Sequence, residues 1–173
     1  MAYKSPAERY TYNDRGYFTV SVSSTSFIGP SGIGQWVYSS SAGTPGSLQT
    51  DLRNYTRMTV PGDGTLDSVT FSASFNGTWS ASSPNNLLIQ VYRYAASDIA
   101  SAAWDSTITP TKIAEVSVSE SFQDKVYCDT TTITAGNSVT KGDQLAWYLN
   151  ASNASDPITA NAYFNIALNF AQD

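Results

Sequence analysis

The chain has 173 residues, 41% of them apolar and 13% charged, with a net charge of −5 and an isoelectric point near 4.5. That is one domain with enough apolar mass for a core, which excludes intrinsic disorder; nine Lys and Arg scattered along an acidic chain also exclude the basic patch that nucleic-acid binding needs. The absence of histidine and the single cysteine, Cys128, remove the commonest general base, the Ser–His–Asp nucleophile, most zinc sites and any intrachain disulfide.

Residues 1–16 differ in composition from the rest of the chain. They carry Tyr3, Tyr10 and Tyr12 with Lys4, Arg9 and Arg15 against Glu8 and Asp14, and they include Pro6. With no clear period, the segment reads as an extended arm, with 17–173 as the folded domain. Its tyrosines and cations are residue types favoured where proteins meet. The first residues hold no apolar run of signal-peptide type, and no run along the chain approaches a membrane span.

Strand patterning begins at Tyr17–Ser23, with Phe18, Val20 and Val22 on one face. A Gly-rich stretch, Ile28–Gly34, leads to a strand over Gln35–Ser40 and a loop over Ser41–Gly46. Asn54–Val60 is expected to be a strand with Thr56, Met58 and Val60 inward, ended by the turn signal Pro61-Gly-Asp-Gly64. Asp67–Phe75 points Val69, Phe71, Ala73 and Phe75 inward; Asn76–Asn86 reads as a polar loop, and Leu87–Tyr94 as the next strand.

Residues 95–110 break the pattern, and a short helix over Ile99–Trp104, capped by Ser97 or Asp98, is expected there. Ile113–Ser119 resumes alternation through Ala114, Val116 and Val118. Val126–Thr134 is the next strand, rich in threonine, with Cys128 read as a small buried residue. Lys141-Gly-Asp143 turns the chain into a strand with Leu145, Trp147 and Leu149 on one face. Ala162–Phe170 closes the series with strict alternation: Ala162, Phe164, Ile166, Leu168 and Phe170 one way, Tyr163, Asn165, Ala167 and Asn169 the other.

Eight or nine strands with turns between them, no sustained helical period and no internal repeat point to an all-β antiparallel sandwich of jelly-roll or Greek-key type, with a closed up-and-down barrel as the alternative. A serine and threonine share of about a quarter suits pleated structure with a hydroxyl-rich surface.

The acidic residues mostly sit at turns (Asp63, Asp98, Asp105, Asp143, Asp156) or on solvent-facing strand positions (Asp67, Glu115, Asp129). Turn aspartates hydrogen-bond their own backbone, and no facing pair of carboxylates of glycosidase type stands out. Asp63-Gly-Thr-Leu-Asp67 lacks the oxygen density of a calcium loop and reads as a turn. Neither a cofactor nor catalysis is expected. Trp147 falls in phase with the core, whereas Trp36, Trp79 and Trp104 stand near loops, where they either plug the ends of the sandwich or anchor a partner or a sugar.

Three stretches carry a resemblance: Arg57–Phe71, with its Pro-Gly-Asp-Gly-x-Leu unit; Leu88–Tyr94, a Val-Tyr strand; and Val139–Leu149, with its Gly-Asp turn. Together with the terminal strand they resemble the jelly-roll modules of tailed-bacteriophage virion proteins, similar in layout to complement and tumour-necrosis-factor head domains. The resemblance covers roughly residues 54–170.

It implies a non-enzymatic virion structural protein made in the host cytoplasm and placed on the capsid surface as a decoration (cement) protein. It implies homo-oligomers, commonly trimers, bound to the major capsid protein or other virion subunits. A receptor- or carbohydrate-binding module, such as a fibre-tip domain, is the alternative. The arm residues Tyr3, Lys4, Arg9, Tyr10, Tyr12 and Arg15 would then grip a neighbour, and Tyr163, Asn165 and Asn169, amide-rich and uncharged, would line contacts between subunits.

Overall fold

The structure is a computed structural model that describes residues 9–20, 25–30, 50–51, 57–79, 87–103, 106–118, 122–151 and 159–172. The expected strand at Gln35–Ser40 lies outside these residues, as do Tyr3, Lys4, Trp36 and Trp104. Thirteen strand segments and one short helix are described: β1 (Arg9–Val20), β2 (Thr25–Gly29), β3 (Thr50–Asp51), β4 (Met58–Thr59), β5 (Gly64–Trp79), β6 (Leu87–Tyr94), α1 (Ala96–Ala100), β7 (Thr107–Ile108), β8 (Thr111–Val118), β9 (Phe122–Gln123), β10 (Val126–Thr132), β11 (Ser138–Val139), β12 (Gln144–Ala151) and β13 (Thr159–Gln172).

All pairings among these segments are antiparallel, and two sheets hold the main strands. The first has the order β1-β13-β5-β10 and the second β2-β12-β6-β8; β9 and β11 append to β5, β4 pairs with β12, and β3 with β7 form a separate small ladder. Numbered among themselves in chain order, the eight longer strands run 1-8-3-6 in one sheet and 2-7-4-5 in the other. The chain thus passes repeatedly between the sheets in the interlocked Greek-key manner of a jelly roll.

The core lies between the sheets, where strand alternation places it. β5 contributes Val69, Phe71, Ala73 and Phe75; β12 contributes Leu145, Trp147 and Leu149; β13 contributes Phe164, Ile166, Leu168 and Phe170; β8 contributes Ala114, Val116 and Val118, all buried. Met58 and Val60 face inward as expected.

A second buried cluster covers the outer face of the second sheet. Tyr92 and Tyr94 of β6, Ala146 and Tyr148 of β12, and Ile108 pack there with Ile99 and Ala102 from the segment around α1. β12 is therefore buried on both sides, which accounts for its unbroken apolar run Leu-Ala-Trp-Tyr-Leu.

Several expectations are corrected. Residues 9–16 of the expected extended arm are a strand of the first sheet: β1 pairs with β13 over its whole length, from Arg9 opposite Ala171 to Val20 opposite Ala160. β5 continues past Phe75 into the expected loop, because Thr159–Ala162 of β13 pairs with Phe75–Thr78. The helix starts earlier than the Ser97 or Asp98 cap would place it. Ala95 holds the cap position in extended geometry with no side-chain bond, and the Asp143 carboxylate, distant in sequence, accepts the Ala96 N–H at 2.9 Å. Cys128 is exposed, because even-numbered residues of β10 point outward while Tyr127 turns in.

Candidate functional site: the outer face of the first sheet

The register of the first sheet sets its outward side chains in four rows of four. Tyr17, Tyr163, Ser74 and Val126 form the first, and Arg15, Asn165, Ser72 and Cys128 the second. Asn13, Ala167, Thr70 and Thr130 form the third, and Thr11, Asn169, Ser68 and Thr132 the fourth. Beyond the fourth row the register of β13 on β5 shifts between Asn169 and Phe170, and this bulge bounds the face.

Arg15 is the sole charged residue in the sixteen positions, on a chain of net charge −5. The exposed large hydrophobics among the described residues are Val126, 70% exposed, and Tyr163, 69% exposed. Both belong to the first row, on either side of Ser74. Tyr17 stands beside Tyr163 with ring centroids 4.9 Å apart and planes tilted by 51°.

The two ends of the face differ chemically. At the fourth row the Thr11 hydroxyl donates to Asn169 Oδ1 at 2.7 Å, and Asn169 Nδ2 donates to Ser68 Oγ at 3.0 Å. In the third row the Thr70 and Thr130 hydroxyls share a hydrogen bond at 2.9 Å. These groups satisfy one another laterally, as cross-strand pairs do. The first row instead offers an aromatic pair and an exposed valine.

Tyr163, Asn165 and Asn169 are thus brought together on one face, and Arg15 and Arg9 project from the same side of β1. Tyr10 and Tyr12 do not join them. They lie on the inward side of β1, where Tyr10 stacks on Phe170 at 4.6 Å and Tyr12 tilts against Trp147 at 5.8 Å. Strand alternation, hidden in this segment, divides the tyrosines from the arginines. Burial raises the phenol pKa of both, and at Tyr12 the Asp14 charge adds to it. Trp79 lies at the end of β5 opposite Phe122.

Sequence reasoning misses the contributions of β5 and β10. Their signal is present in the small polar residues Ser68, Thr70, Ser72 and Ser74, which alternate with the core positions of β5.

On the opposite sheet, Gln90 is buried and donates to Glu115 Oε2 at 2.8 Å, and Lys112 donates to the same oxygen at 2.7 Å. Burial pushes the Glu115 carboxyl up, but the hydrogen bonds from Lys112 and Gln90 and the Lys112 charge outweigh it, so it titrates below an ordinary glutamate. This cluster anchors β6 to β8. Among the described residues no group of three or more acidic or Cys side chains gathers as metal ligands, and no helix is long and apolar enough to cross a membrane.

Neither a known protein family nor a curated protein matches the chain.

Proposed function

We propose that this protein is a non-enzymatic virion structural protein of a tailed bacteriophage, a capsid decoration protein that binds shell subunits as a homo-oligomer and stabilises the shell from its outer surface. The observation that carries the reading is the jelly-roll strand order with a broad, nearly uncharged sheet face. Jelly rolls serve as viral capsid modules and as lectin domains. The sequence resemblance to phage virion modules favours the first use. A face with few charges suits packing against protein, because little desolvation of charge opposes contact.

A second reading rests on the Tyr17–Tyr163 pair. Exposed aromatic rings beside amides and hydroxyls also stack on sugars, which would make the chain a receptor- or carbohydrate-binding module.

Sedimentation of the purified protein with undecorated phage heads tests the first reading against the second. A decoration protein pellets with heads at a fixed ratio and leaves a glycan array blank. Glycan binding that is lost in Tyr163→Ala, with no pelleting on any head, would favour the recognition module.

A further inference from the structure

The four-row face has one occupant that its chemistry selects. We infer that a second copy of this chain packs on it, face against face, in a two-fold pair. Such a pair supplies the neighbour that meets this face in the homo-oligomer proposed above, but it does not depend on the virion reading, since a chain that never meets a capsid could still pair this way.

Three observations carry it. The first is charge. Two copies of a chain of net charge −5 repel, and they approach most easily through surfaces that bring no carboxylates together. No carboxylate occupies the sixteen positions, so a face that lacks acidic groups meets another that lacks them. A strongly basic partner would meet only the like charge of Arg15 in the sixteen positions, and a strongly acidic one would find only Arg15 there to pair with, Arg9 lying one row beyond.

The second is the disposition of polar and apolar groups. Thr11, Asn169 and Ser68 are hydrogen-bonded to one another, as are Thr70 and Thr130, so these groups keep partners when water leaves. Val126 and Tyr163 sit together in the first row as exposed apolar anchors. Lateral satisfaction with an aromatic anchor is the pattern of a surface that tolerates drying.

The third is size. Four strands about 4.8 Å apart and seven residues at about 3.4 Å each give roughly 450 Å² of plane per copy. A pair covers about 900 Å² before the relief of the side chains is counted, close to the ~1,000 Å² of a specific but weak contact. Like faces close by a two-fold axis, so the expected species is a dimer.

Cys128, exposed in the second row, is a built-in reporter. Its labelling by a maleimide is followed in the wild-type protein across a concentration series, with mass measured by light scattering on the same samples. With a dissociation constant of about 0.1 mM, the mass rises towards twice the 18.6 kDa of one chain, and labelling slows by about fivefold at ~1 mM.

Ser74→Arg, at an exposed site between the anchors, and Ala167→Arg, at the centre, each restore fast labelling at every concentration, while Thr111→Arg on the far edge of the other sheet changes nothing. A chain that stays monomeric at all concentrations overturns the inference. So does an oligomer in which Cys128 labels at the monomer rate, or protection that appears only when phage heads are added, which would assign the face to the shell.

Discussion

At the scale of single residues, one buried contact ties the two sheets together. Asp14 of β1 is buried and accepts the indole N–H of Trp147 at 2.9 Å, across the sandwich. Gly29 of β2 lies against this contact, and a Cβ there would run into both the Trp147 indole nitrogen and the Asp14 carboxylate. Trp147→Phe keeps an aromatic ring but leaves the carboxylate one donor short, and is expected to lower unfolding free energy by about 1–3 kcal/mol in urea titrations. Gly29→Ala should cost at least as much, because the added carbon displaces the pair. Asp143 holds a second junction, accepting the N–H groups of Ala96 and Thr140 at 2.9 Å each. Asp143→Ala should cost about 2–4 kcal/mol and free the start of α1, read by hydrogen exchange at Ala96. Sequence reasoning can place Asp143 in a turn, but the helix start it holds is 47 residues away along the chain, and such a partnership leaves no local trace.

At the scale of elements, legibility follows the regularity of alternation. β6 is legible to its ends, and the core faces of β5, β8, β12 and β13 are legible residue by residue, because their large apolar groups recur at period two. β1 resembles an arm in sequence because its inward positions are Tyr10, Tyr12, Asp14 and Gly16, a series with no simple apolar signal. The cluster beneath α1 is hidden for a related reason: its tyrosines alternate with core residues on strands whose other face already accounts for them. There Tyr94 and Tyr148 share a buried hydroxyl–hydroxyl bond of 2.7 Å, and Tyr92 meets Tyr148 edge-on at 5.4 Å. Tyr94→Phe and Tyr148→Phe should each destabilise by about 1 kcal/mol, and the double variant by less than their sum, a coupling that a double-mutant cycle reads directly. The Lys112–Glu115–Gln90 cluster adds a pH signature. Its carboxyl titrates below the ordinary 4.5, so its contribution is complete above that pH and is lost as pH falls through the lowered value. Acid unfolding curves of Glu115→Gln should therefore lack part of the wild-type slope below about pH 4.5, with the difference between the two proteins flat from about pH 5 to 7.

At the scale of the whole molecule, the jelly roll hides much of its aromatic mass between the sheets and beneath α1. Among the described residues it leaves a broad surface of small hydroxyls and amides. The sequence points to part of that surface through Tyr163, Asn165 and Asn169 of the last strand. The rest emerges only when the register sets β1, β5 and β10 beside it, since which strand neighbours which is a property of topology and not of local pattern. The proposed role places this protein on a phage shell, meeting its neighbours through that face. Cryo-electron-microscopy maps of phage heads with and without added protein would show whether it does. A decoration protein gives added density of jelly-roll shape at fixed symmetry positions on the outer surface, with the β1-β13-β5-β10 sheet turned towards a neighbouring protein. Heads that remain bare in the presence of excess folded protein, or added density whose β1-β13-β5-β10 sheet faces open solvent, would contradict that role.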